Sequence, residues 1–347
     1  MRIGGGITAY PNLSYKEKLC STWSGRGDRP RTAAASGTMS LNGVMRSALL
    51  VASDSPWLRA RASTLPFVKR AVSRFMPGER LEDALAATIE LQPLGIGSVL
   101  TRLGENVTDA AAAEETARHY LTVCNEVSAR SLDSHISVKL TQLGLDIDAG
   151  RCRAHLFTLA EETKRRGIPF WIDMEQSAYV DRTLEMRRAL SGFPHVGVCL
   201  QAYLHRTADD LASLIPLGGG IRLVKGAYRE PATVAFPRKA DVDDNYFTLA
   251  TRMLEHHGNL LSVFGTHDQR LIDRIRRHAD GMPVPRDRFE FHLLFGIQRD
   301  AQVRLARDGH RVKVLISYGE QWFPWYMRRL AERPANLAFV AKSMLSR

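Results

Sequence analysis

Side chains able to bind, polarise or attack a small molecule stand at the same end of otherwise apolar runs. Lys139 stands near the end of one run and Asp173 of another, Gln201 ends a third, Arg222 and Lys225 share a fourth, Thr266 and His267 follow a fifth, and Tyr318 follows the last. A buried polar group left unpaired costs on the order of 1–3 kcal/mol, so their concentration at one rim is best explained by a ligand. Each also has a structural reading. Lys139, Asp173 and Arg222 could form an ion-pair network that closes the fold, and His267 could be a satisfied core histidine. Lys139 or Lys225 could instead form an imine with a carbonyl substrate, the chemistry of a Schiff-base lyase or aldolase. A second constellation lies near the C-terminus. Arg328 and Arg329 are adjacent, about 100° apart around a helix axis. Glu332 follows Arg328 by one turn, as an i,i+4 partner, and Trp322, Trp325 and Tyr326 flank the pair. Two guanidinium forks side by side suit a bidentate grip on a small carboxylate.

These residues need elements that bring them to one place. From residue 81 onward, short β-rich runs alternate with helical stretches. The runs are residues 98–103, 135–140, 169–174, 196–202, 221–226, 260–266, 289–295 and 311–317. Most are nearly continuous apolar segments, as strands buried on both faces require, and the stretches between, 110–129 and 246–257 among them, carry helical periodicity. Eight strand–helix repeats predict an α/β fold, a (β/α)8 TIM barrel, whose functional residues collect at the C-terminal ends of the strands. The alternative, a doubly wound open sheet, lacks its nucleotide fingerprint. Gly95-Ile96-Gly97 and Gly218-Gly219-Gly220 precede strands, so neither can form a phosphate-cradling turn between a strand and a helix. The segment 321–336 predicts a last helix that Pro324 opens and that ends before Pro334.

The 347 residues carry a formal net charge of +11, but +9 of it lies in residues 1–80, where 13 basic side chains face 4 acidic ones. A nucleic-acid-binding fold would carry its basic stripe on the folded domain, so no nucleic-acid partner is expected. Residues 1–38 lack hydrophobic periodicity and read as a disordered leader. Residues 39–80 read as a basic amphipathic helical arm that packs on the domain or lies on an anionic surface, and residues 81–347 as the barrel. No apolar run is long enough to span a membrane, and the N-terminal residues show no apolar h-region ahead of a small-residue cleavage site, so neither a transmembrane span nor a secretory signal is expected. The cysteines at 20, 124, 152 and 199 are widely spaced, which disfavours a zinc site or disulfide framework and suits a reducing compartment. A cytoplasmic protein follows, peripheral at most on the inner face of the membrane.

Four stretches together resemble the proline dehydrogenase family in its monofunctional bacterial form. They are Ile172-Asp173-Met174-Glu175, Arg222-Leu223-Val224-Lys225-Gly226-Ala227-Tyr228, Glu290-Phe291, and Tyr318-Gly319 through Arg328-Arg329-Leu330-Ala331-Glu332-Arg333-Pro334-Ala335-Asn336. The likeness runs from about residue 80 to the C-terminus. It implies a distorted (β/α)8 barrel holding FAD, with the final helix over the barrel mouth. It implies hydride transfer from C5 of L-proline to flavin N5, giving 1-pyrroline-5-carboxylate, the first step of proline catabolism to glutamate, with electrons passed to a quinone. By the same likeness Lys139, Arg328 and Arg329 bind the proline carboxylate, Glu332 orients the arginines, Tyr318 and Leu223 pack near the pyrrolidine ring, and Asp173 stands beside Lys139. Gln201 and Arg222 meet the flavin ring with Met174 next to it, Lys225, Gly226 and Ala227 meet the phosphates and ribose, and Thr266 and His267 lie on the adenosine side. The family's Glu-Phe-Gln-Met-Leu run appears here with His292 in the middle, and Arg229 follows Tyr228 where the bifunctional enzymes have Trp.

Overall fold

The computed structural model describes residues 72–323 and 325–327. Arg328, Arg329 and Glu332, residues 1–38 and most of the 39–80 arm lie outside the described residues. Eight parallel strands close into a barrel in sequence order: β1 Ile96–Arg102, β2 Ser134–Val138, β3 Phe170–Ile172, β4 Val196–Gln201, β5 Gly219–Val224, β6 Leu260–Gly265, β7 Phe289–Leu294 and β8 Arg311–Tyr318. Closure is made by β1 against β8, in register from Ile96 opposite Val312 to Arg102 opposite Tyr318. Helix α1, Leu81–Leu91, precedes the barrel. The crossovers contain α2 Ala110–Ala129, α3 Ala149–Arg166, α4 Val180–Ala189, α5 Thr207–Leu214, α6 Lys239–Glu255, α7 Gln269–Asp280 and α8 Arg299–Arg307. The expected barrel is therefore the observed fold, with strand bounds shifted by a few residues at most.

The helices begin where a side chain can satisfy free backbone amides. Asp109 accepts from Ala111 and Ala112 at the start of α2, Asp148 from Arg151 at α3, and Asp268 from Arg270 at α7. Strands buried on both faces supply the main core, with Tyr120, Phe170, Tyr246, Phe264 and Phe291 all but inaccessible. Residues 72–76, the described end of the arm, pack differently. Val72, Phe75 and Met76 join Leu103, Trp322, Phe323 and Tyr326 in a smaller cluster, and Trp322 donates its indole N–H to Glu79 at 3.0 Å. At this end the chain packs on the domain.

Two strand glycines, Gly197 and Gly220, have a packing reason. Trp171 projects from β3 into the barrel interior and is 1% exposed. A Cβ on Gly197 would lie 2.4 Å from its ring and one on Gly220 2.6 Å away, so these strands leave space for an indole rather than for a phosphate. Gly197→Ala overpacks this layer and should cost about 1–3 kcal/mol, read as a lowered denaturation midpoint. Trp171→Phe in the same chain should relieve part of that loss, since residues in contact do not add.

Candidate active site

The polar residues at the strand ends meet in the barrel mouth. Arg222 of β5, 2% exposed, directs Nη2 to the Asp173 carboxylate and, at 2.9 Å, to the Ser137 hydroxyl. Ser137 donates to Asp173 Oδ1 at 2.8 Å, and Lys139 Nζ stands 3.6 Å from the other carboxylate oxygen. The ion-pair network considered from sequence therefore exists, and it lies in the mouth where a ligand would bind. The guanidinium of Arg222 sits 5.1 Å from the Trp171 ring centroid, a cation–π placement that braces it from below. Burial pushes the Lys139 ammonium down, but the charges of Asp173, Glu105 and Glu175 outweigh burial and hold it above its ordinary range. Lys139 is thus a fixed cation suited to a carboxylate and unsuited to imine formation, which needs the free amine.

Two buried polar atoms in this mouth have no hydrogen-bond partner among the described residues: Arg222 Nη1 and Gln201 Oε1. Gln201 Nε2 is occupied by the backbone carbonyls of Glu175 at 3.2 Å and Met174 at 3.5 Å. Both Gln201 and Arg222 therefore keep one face free for a polar planar group. Next to them, Lys225 donates to Asp243 at 2.5 Å and to Asp268 at 2.8 Å, a commitment that also removes it from imine chemistry. Gly226 has φ +116°, and a Cβ there would fall 2.1 Å from the Tyr203 ring; only glycine fits this turn. Thr266 accepts from the Asp268 amide at 3.1 Å, and His267 Nε2 accepts from the Leu294 amide at 3.1 Å. Asp268 is held down at about 2: burial raises it, but Lys225 and Lys239 win. The loops after β5 and β6 thus carry a fixed charge lattice at the rim.

Leu223 and Tyr318, expected near the substrate ring, are turned away from the cluster in the mouth. Side chains alternate across a strand. With Arg222 turned into the barrel, Leu223 faces the helices, where it is wholly buried in the main core. With Lys313 turned inward toward Asp133, Tyr318 is turned outward, and its hydroxyl meets His119 Nε2 of α2 at 2.8 Å. That pair lines a separate cleft of about 280 Å³ between α1, α2 and the ends of β1 and β8. By the same parity Leu315 and Ser317, beyond Lys313, face the barrel interior toward the mouth end of β8. Met174, 6% exposed, follows β3 at the mouth.

Beneath the mouth lies a polar layer that sequence reading did not assemble. His292 donates to Glu290 at 2.9 Å, Arg311 approaches the other Glu290 oxygen at 2.9 Å, and Trp171 donates its indole N–H to His135 Nδ1 at 3.1 Å. Burial holds both histidines well below their ordinary range, so they are neutral. His135, Glu290 and His292 are close enough to share a cation, but Nδ1 of His135 is already taken and Arg311, Lys313 and Arg222 surround the group with positive charge. The layer works as a hydrogen-bonded floor. Two further carboxylates act on the rim itself. Glu230 accepts from the Ser177 amide at 2.7 Å and hydroxyl at 2.6 Å, joining the loops after β3 and β5. Glu175 accepts from the Thr141 amide and hydroxyl, and burial pushes its carboxyl up to about 7 despite those bonds.

Comparisons with known proteins agree with this geometry. Residues 84–342 match the family model described as proline dehydrogenase. The chain is similar to the proline dehydrogenase of Deinococcus radiodurans, 39% identical over 306 residues that cover 86% of this chain and 97% of that protein. It is also similar to proline dehydrogenase 2 of Bacillus subtilis, 34% identical over 275 residues, 79% of this chain and 90% of that protein. Among solved structures, the fold resembles proline utilization A from Bdellovibrio bacteriovorus inactivated by N-propargylglycine. There the TM-score is 0.72 at 22% identity, over 84% of this chain and 36% of that one. A barrel of eight parallel strands, a buried lysine–aspartate–arginine cluster in its mouth and a family match over most of its length lead to one assignment: this chain belongs to the flavin-dependent proline dehydrogenase family and is an enzyme that oxidises proline.

Proposed function

We propose that the chain binds FAD in the barrel mouth and oxidises L-proline to 1-pyrroline-5-carboxylate, the first step of proline catabolism to glutamate. The observation that carries the cofactor assignment is the pair of buried, unpartnered atoms, Arg222 Nη1 and Gln201 Oε1; leaving both unmet would cost on the order of 1–3 kcal/mol each. Bound FAD would supply the electron sink, taking hydride at N5 from proline C5. The protein's own part is to bind and orient. Lys139, with Arg328 and Arg329 oriented by Glu332, holds the substrate carboxylate, and Asp173 fixes Lys139 and Arg222 together. Arg222 presents a buried positive charge to the flavin ring beside Gln201, which favours negative charge developing there. Lys225, Gly226 and Ala227 suit the phosphates and ribose, Thr266 and His267 the adenosine side, and Met174 the ring itself.

A quinone acceptor follows from the family likeness; the charge and amphipathic pattern of residues 39–80 support peripheral membrane association through that arm, the protein remaining on the cytoplasmic side. Among the described residues no helix is long and apolar enough to cross a membrane. The deciding experiment is an absorbance spectrum of the purified protein: a flavin band that proline bleaches anaerobically is expected. A colourless protein that cannot be reconstituted with FAD would refute the reading.

A further inference from the structure

Glu175 has no part in the binding roles above, yet it is 3% exposed and sits where four strand ends converge. Its Oε1 accepts the Thr141 amide at 3.1 Å and its Oε2 the Thr141 hydroxyl at 2.5 Å. Thr141 is itself a junction. Its hydroxyl accepts the Asn106 amide at 3.1 Å, and its carbonyl accepts the Val107 amide at 3.2 Å. The Glu175 carbonyl in turn accepts Gln201 Nε2 at 3.2 Å. One residue thus ties the loop after β1, the loop after β2 that follows Lys139, the loop after β3 that begins at Asp173, and the side chain of Gln201.

Burying a carboxylate costs several kcal/mol unless its bonds repay it, and an apolar residue of similar size is often as good for stability alone. Here the carboxylate makes both of its side-chain hydrogen bonds to a neighbouring loop, so its contribution is to hold one strand end against another. From this we infer that Glu175 is a positioning residue: it fixes the β2 loop carrying the substrate's cationic clamp relative to Gln201 and Asp173, and so sets the approach of substrate to the flavin. The inference rests on the proposed function. A shift of about 1 Å between bound reactants can lower a rate about 100-fold while leaving binding nearly intact, because Lys139 keeps its own partner Asp173.

The test uses the full chain loaded with FAD and the variants Glu175→Ala, Glu175→Gln and Thr141→Val. Each is measured for its limiting rate of anaerobic flavin reduction by proline, and for the dissociation constant of a five-membered cyclic carboxylate lacking the oxidisable C–N bond. In Glu175→Ala the reduction rate should fall 10- to 100-fold while the carboxylate's dissociation constant changes less than about threefold. Glu175→Gln, which can still accept the Thr141 amide, should return to within about threefold of wild type, and Thr141→Val should lose about three- to tenfold. An unchanged reduction rate in folded, flavin-loaded Glu175→Ala overturns the inference, as does a loss confined to carboxylate binding. Should Glu175→Ala fail to retain FAD, Thr141→Val decides alone. A wild-type protein that proline does not bleach would count against the functional reading and not against this residue's role.

Discussion

Replacing Arg222 with methionine should lower the limiting rate of flavin reduction by about 100- to 1,000-fold, the scale on which removing one preorganised electrostatic group acts in a dry site. The physical basis is the immobility of this guanidinium. Asp173 and Ser137 hold one nitrogen, Trp171 supports its face, and the remaining nitrogen is buried without a partner among the described residues. No reorganisation is needed to present that charge, and methionine cannot present it. Arg222→Lys should recover less than tenfold, because an ammonium replaces a fork that serves two directions at once. Stopped-flow absorbance under anaerobic conditions measures this, and a limiting rate within threefold of wild type would rule out the role.

Lys139→Met should act on binding instead, raising the proline KM by about 10- to 150-fold with kcat changed only severalfold. That range is the equivalent of the roughly 1.5–3 kcal/mol of a hydrogen bond to a charged group. Because Asp173, Glu105 and Glu175 together hold Lys139 above its ordinary range, the lysine stays protonated throughout the neutral range, and the KM should show no inflection from it. The carboxylate beside it complicates the single variant, since removing the lysine leaves Asp173 with Arg222 and Ser137 alone. Lys139→Met combined with Asp173→Asn should therefore cost less than the sum of the two separately. Strict additivity would show that the two do not act as a pair. Arg328→Met and Arg329→Met should move the same constant in the same direction.

Much of this fold was legible because a parallel barrel strand is buried on both faces and so appears as a short apolar run, and the polar residues near the ends of several runs stand at the mouth. Lys139, Asp173, Gln201 and Arg222 could be found that way, since a polar side chain at the end of such a run must meet either a partner across the barrel or a ligand. What could not be read is whatever depends on register or on distance across the barrel. Leu223 and Tyr318 sit beside functional residues in sequence but one step out of phase, on the opposite face of their strands. Ser137, Thr141, Glu175 and Glu230 look like ordinary loop and strand residues until β2, β3 and β5 are brought alongside one another. Trp171 gave one usable signal, the small residues Gly197 and Gly220 that its ring demands, although nothing local connects them.

The indole floor also governs traffic. Trp171, Glu290, His292 and Lys313 are buried in the barrel beneath the mouth, the packed interior expected of this fold, so on the proposed function a flavin held in the mouth would be approached from the mouth. Proline and the oxidant would then share one door. On that reading an imine product still bound there would stand in the way of the electron acceptor, and each ligand would clear the threshold before the next crosses it.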